Sequence, residues 1–337
     1  MKKTGKILVL AYPDTYVTMS DEWICRLLPL VGLGTKEYIK AGHAALVLIE
    51  NETGYSYYYD FGRYVTPEGY GRVRGLNTDA ELEVPVKAKF GKNGNLDNFQ
   101  EFLYWLDDNP QKTHGEGRLL ASICNEIDFE KAHTFIKTLQ QRGSIPYGAF
   151  NPDGSNCSRF VTDTILSATE SKKIIKALRF NKLFTPSTVG NVEKAATLGE
   201  VFEVFDGNIK VFDGSAMKEN LKNYFDKKRS KKETAVLSEL PKTAQKLIGI
   251  GSNAWFELFP EELPGKHHRI RRYNDLHEID YDGVYQVPDD FDASKPFVFT
   301  YDSHCEYCHV IQEQRKIKLV GGTSYADFNS SQKVRSA

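Results

Sequence analysis

Residues 42–49 read Gly-His-Ala-Ala-Leu-Val-Leu-Ile, an apolar run of strand length headed by a histidine and unbroken after it. A half-buried strand alternates polar and apolar residues, so a run without polar interruption predicts a strand covered on both faces. The turn residues Asn51-Glu52-Thr53-Gly54 follow, and then Tyr55–Phe61, which completes an antiparallel hairpin. Near the N-terminus, Lys6–Ala11 makes a similar apolar segment. Its five residues from Ile7 to Ala11 end at Tyr-Pro-Asp, short of the roughly 7–15 apolar residues of a signal peptide. We read it as a strand ending in a turn.

The remaining elements follow from period and punctuation. Val84–Phe90 reads as a third long strand, with Pro85 suiting a sheet edge. Helical stretches are expected around Ser20–Leu28, over Asn95–Asp107, over Asp128–Gln141 with Asp128 as cap, and over Lys172–Leu183. Arg118–Cys124 is strand-like, and Phe202–Phe212 forms a hairpin about Asp206-Gly207-Asn208. Gly69, Gly71 and Gly75, interspersed with Arg72 and Arg74, read as a flap near the histidine strand. From Ile248 onward, candidate strands at Trp255–Phe259, Gly283–Gln286, Phe297–Tyr301 and Lys316–Leu319 make a β-rich region.

A chain of 337 residues accommodates two domains. The expected division is a first domain over 1–214, a charged, solvated connector over 215–239 carrying Lys227, Lys228, Arg229, Lys231 and Lys232, and a β-rich accessory domain over 240–337. Balanced charge, 44 basic against 45 acidic residues, gives no global field for a nucleic acid or an anionic membrane. No apolar stretch reaches the 18 residues of a membrane span. Five cysteines in so long a chain are not a disulfide scaffold, which favours a reducing, cytoplasmic setting without excluding export.

The segment most informative about chemistry is Asn156-Cys157-Ser158-Arg159-Phe160-Val161. Positions 157, 160, 161, 164 and 165 recur at helical spacing, and Ser155 or Asn156 can cap the helix. Cys157 then lies in the first turn, where free N–H groups and the helix dipole favour a thiolate. The same facts describe a buried core cysteine, because free cysteines are among the most buried residues. His43 on its strand needs partners for both ring nitrogens. Cys157 and Asp60 are the candidates, Asp60 ending the neighbouring strand. Ser56, Tyr58 and Asp60 share one face of that strand, so Tyr58 is an alternative orienter or a pocket wall.

The pair Gly42-His43-Ala44-Ala45-Leu46-Val47 and, much later, Asn156-Cys157-Ser158-Arg159-Phe160-Val161 resembles the circularly permuted branch of the NlpC-type papain-like hydrolases. The resemblance covers about residues 1–195. It implies an α+β fold, with an antiparallel sheet packed against helices in a circularly permuted papain-like domain, ahead of the smaller β-rich domain. It implies Cys157 as nucleophile, His43 as general base, Asp60 as orienter, Tyr147 and Asn156 lining the site, and no cofactor. Family orienters vary among Glu, His, Asn and Gln, so Asp60 departs from the pattern. The activities implied are amide or peptide hydrolysis and, in the lecithin:retinol acyltransferase relatives, acyl transfer on lipid substrates. The whole chain also resembles a two-domain family of gut Bacteroides-type bacteria.

Two other readings compete. A papain-like fold can persist as a non-catalytic binding module. His304-Cys305-Glu306-Tyr307-Cys308-His309 is the densest ligand cluster, with knuckle spacing that suits zinc if His267, His268 or His277 completes it, or a reversible disulfide.

Overall fold

A computed structural model describes residues 2–19, 28–148, 151–183, 187–228 and 237–335. The helix expected around Ser20–Leu28, with Cys25, therefore lies outside the described residues except for its last position. The chain divides into two compact units: residues 1–62, 73–75 and 82–230 form one, and residues 63–72, 76–81 and 231–337 form the other.

The first unit is built on an eight-stranded sheet in the order 208–211, 202–205, 119–127, 5–12, 43–50, 56–62, 70–74, 145–146. The pairings from 208–211 through 56–62 are antiparallel. The two central strands, Gly5–Tyr12 and His43–Glu50, are buried along almost their whole length. Their side chains alternate between two cores. Ile7, Val9, Ala44, Leu46 and Leu48 face helices Phe129–Gln141, Cys157–Ala168, Lys172–Lys182 and Thr188–Ala195, while Leu8, Leu10, Ala45, Val47 and Ile49 face helix Phe99–Asp107. Cover on both faces explains why neither strand alternates in sequence.

The segment 84–90 forms no strand, contrary to expectation. Its backbone groups are satisfied one at a time. Ala88 N–H donates to Gly54 O at 2.9 Å, and the Asn98 side chain accepts from Lys89 N at 2.8 Å and donates to Lys87 O at 3.0 Å. The strand beside Ser56–Gly62 is instead Tyr70–Arg74, the segment expected as a flap. Helix Thr188–Ala195, capped by Ser187, was not anticipated either. Within the expected connector, Ala216–Phe225 is a helix of the first unit, and the buried Asn223 donates to Pro13 O at 2.8 Å. Residues 229–236 lie outside the described residues.

The second unit is a seven-stranded antiparallel sheet in the order 245–247, 254–263, 267–273, 279–286, 315–324, 307–312, 298–300. It is barrel-like. The Gln245 side chain donates to Phe297 O at 3.2 Å and accepts from Phe299 N at 2.8 Å, tying the two ends of the sheet together. Phe256, Ile270, Tyr285, Val310 and Leu319 fill the interior. The architecture is thus mixed α+β, with antiparallel sheets in both units.

Candidate functional site

Gly42 has φ 77°, a conformation open to glycine at little cost, and a Cβ there would sit 2.8 Å from Thr188 Oγ1. The chain turns at Gly42 and enters the strand at His43, which is paired with Tyr12; the two rings stack at 6.3 Å. Across the hairpin Ala45 faces Asp60, so His43 is the diagonal neighbour of that carboxylate. Nε2 of His43 lies 3.4 Å from Asp60 Oδ2.

Asp60 is fully buried and heavily coordinated. Arg74, itself buried, donates from Nε to Oδ1 at 3.0 Å and from Nη2 to Oδ2 at 2.6 Å. The Tyr58 hydroxyl donates to Oδ2 at 3.1 Å. Burial alone would raise the carboxyl's pKa, but the Arg74 guanidinium and the hydrogen bonds from His43 and Arg74 hold it well below the ordinary range. Tyr58 is therefore a donor to Asp60 and not a wall of an open pocket. Asp60 takes the place beside the imidazole.

The cysteine arrives on helix Cys157–Ala168, capped by Asn156, whose side chain accepts from Arg159 N at 2.8 Å. The approach loop is closed by Ser155 N–H to Pro146 O at 2.9 Å and Gly148 N–H to Ser155 O at 3.0 Å. Tyr147 stacks on Phe61 at 5.9 Å, and Phe61 in turn meets Phe160 at 6.5 Å, so an aromatic column sets the helix against its strand. Asn191 donates to Ser158 O at 2.7 Å and accepts from Thr162 at 2.8 Å, fixing the same helix from the other side. Asn156 thus serves as the cap. Asn156→Ala is expected to cost about 1 kcal/mol, measurable by urea unfolding.

The side chain of Cys157 acts on the imidazole of His43 together with that of Asp60. Burial by itself would lower the histidine's pKa; bonds to Asp60 and Cys157 outweigh it and lift the imidazole to about 9. Because this lies above the ordinary histidine value of 6.5, the pair stabilises the fold fully below about pH 6.5 and loses that contribution as pH rises through about 9. Unfolding midpoints of wild type and His43→Gln should therefore differ most at pH 6 and converge towards pH 10. Burial pushes Cys124 and Cys308 up to about 12, and Cys305 also rises well above its usual range.

The C-terminal cluster does not assemble a metal site. Among the described residues no group of three or more His, Cys, Asp or Glu could hold a metal ion. Nδ1 of each ring is engaged locally: His304 accepts from Glu306 N, while His309 bonds Asp302 O. His267, His268 and His277 bond Pro264 O, Phe259 O and Ser238 O. Cys305 and Cys308 are buried free thiols. Among the described residues no helix is long and apolar enough to cross a membrane.

Missed by the sequence reading were Arg74 and Asn191. Both are buried polar residues whose partners lie on other elements, and only the turn-like glycines around Arg74 hinted at a special segment.

A thiol on a helix start, an imidazole at a strand head and a clamped carboxylate on the next strand form an arrangement of the nucleophile, base and orienter kind. Residues 7–174 match the family model described as type VI secretion system effector TseH-like. Residues 244–321 match a second model, the DUF6695 C-terminal domain. A solved structure titled as the crystal structure of the type VI secretion system effector TseH is similar at 18% identity, over 63% of this chain and 100% of that chain, with a TM-score of 0.40. No curated protein matches the chain.

Proposed function

We propose that the first unit is a cysteine hydrolase of the circularly permuted papain-like kind, acting on an amide or peptide bond. The observation that carries this reading is an imidazole held by a buried carboxylate and acted on by a helix-start thiol. In the proposed reaction Cys157 Sγ, its proton passed to His43, attacks the carbonyl carbon. The tetrahedral oxyanion is received by the Cys157 backbone N–H, one of the free donors of the first helical turn. As the C–N bond breaks, His43 gives its proton to the leaving nitrogen. Water then enters, His43 takes a proton from it, and the acyl group departs as a carboxylic acid while the thiol is restored. Asp60 holds Nε2, which leaves Nδ1 for the sulfur.

The name of the matched family adds a setting, that of an effector delivered by a type VI secretion system. Free thiols at Cys124, Cys157, Cys305 and Cys308 suit synthesis in a reducing, cytoplasmic environment before any such delivery. Acyl transfer to a second acceptor would use the same acyl-enzyme, with the acceptor in place of water.

The test is selective labelling by iodoacetamide at pH 6, read by mass spectrometry. Cys157 should react well ahead of Cys124, Cys305 and Cys308, and His43→Ala should slow its labelling at least tenfold. Equal labelling of wild type and variant would overturn the pair.

A further inference from the structure

Arg74 stands behind the proposed catalytic residues without touching Cys157's place on its helix, and the mechanism above gives it no step. Its guanidinium is one of the largest fully buried side chains in the protein. The fork geometry is specific: Nε meets Oδ1 of Asp60 at 3.0 Å and Nη2 meets Oδ2 at 2.6 Å, while the same Nη2 donates to Lys112 O at 3.0 Å. Such a two-point contact fixes the plane of a carboxylate as well as its charge. Oδ2 also accepts from Tyr58 at 3.1 Å and faces His43 at 3.4 Å, so the arginine is closer to the carboxylate than the imidazole is.

Resting on the reading of Cys157 and His43 as a catalytic pair, we propose that Arg74 is a positioning residue for His43, locking the Asp60 carboxylate in one orientation and limiting how strongly that carboxylate holds the imidazolium.

Both effects follow from the chemistry of the carboxylate's neighbours. A buried Asp60 with only an imidazole for company would form a close ion pair with it, and a histidine held too firmly as imidazolium is slow to accept a proton from water in the second half-reaction. A fixed guanidinium shares the carboxylate's charge and repels the imidazolium, easing proton release. The groups facing His43 are Asp60 from the adjacent strand, Cys157 from the helix and the Tyr12 ring from the other neighbouring strand, with Tyr58 and Arg74 one contact further out through Asp60. Among these, Arg74 is a fixed cation across the ordinary pH range.

The experiment is an NMR titration of the His43 ring in the full chain, run on wild type, Arg74→Gln and Arg74→Lys, with iodoacetamide labelling of Cys157 measured in parallel. Arg74→Gln should move His43 proton release upward by about one pH unit or more, a tenfold change. Arg74→Lys restores a cation but not the fork, so His43 titration should return towards the wild-type value. A folded Arg74→Gln variant in which His43 titrates as in wild type would overturn the proposal. Should that variant fail to fold, wild type alone decides: the Arg74 Nε–H resonance is expected to shift with the same midpoint as the His43 ring, and an Arg74 signal indifferent to that titration sinks the idea. Failure of the catalytic reading itself shows separately, as wild-type Cys157 labelling no faster than that of the buried thiols.

Discussion

Cys157→Ala is expected to abolish labelling by an electrophilic peptide probe and to lower any hydrolysis of its substrate by about 10⁴-fold or more, the scale set by loss of the nucleophile in enzymes of this logic. The fold should survive the change. Only the sulfur is removed, the cap on Asn156 and the Asn191 bond to Ser158 O do not involve it, and the Asp60–Arg74 pair stays whole. A cavity the size of a thiol costs on the order of 1 kcal/mol. Thus activity and stability separate, and near-UV circular dichroism beside the labelling assay distinguishes them. Residual turnover within tenfold of wild type would remove Cys157 from the reaction.

The second large effect belongs to the other unit and concerns stability. Asp79 is buried between two arginines: Arg72 donates to its two oxygens at 2.6 and 2.7 Å, and Arg272 donates to Oδ1 at 2.9 Å. Arg272 is further held by Glu81 at 2.7 Å and Asp280 at 2.8 Å, and both guanidiniums are almost fully buried. Asp79→Ala takes away the one carboxylate that both share. Leaving buried charge short of its partner costs about 3–5 kcal/mol, so a urea titration followed through Trp255 should show a markedly lower midpoint. A change under about 1 kcal/mol, the level of an exposed ion pair, would mean the network contributes little.

That network also shows why the boundary between the units was hard to read from the chain. Residues 63–72 and 76–81 belong to the second unit although residues 82–230, all of the first unit, separate them from its main body. Val65 N–H pairs with Ser252 O at 3.1 Å, Gly251 N–H with Arg63 O at 2.9 Å, and Cys305 N–H with Thr78 O at 3.1 Å. A cut at any single connector misses such an excursion. Composition around Gly69, Gly71 and Gly75 suggested a loop, yet Tyr70–Arg74 is a strand whose inward arginines are neutralised by Asp79 and Asp60. Buried arginines look like surface residues until their carboxylates are seen. The opposite error occurred at 84–90, where Val, Ala and Phe imitate a strand but the Asn98 side chain takes the place of a neighbouring backbone.

By itself the sequence determined the elements whose signal is local. The unbroken apolar runs specified the two central strands, since no polar residue could face water there. Parity put Asp60 and Tyr58 on one side of their strand, and the polar residue before Cys157 marked a helix start. The tertiary structure decided what those elements do together. It brought Cys157 to His43 over more than a hundred residues of chain, set Arg74 on Asp60, and left the His304–His309 cluster divided among local partners. The physical reason is that a hydrogen bond or ion pair between distant residues leaves no period in the sequence, whereas burial of a strand does.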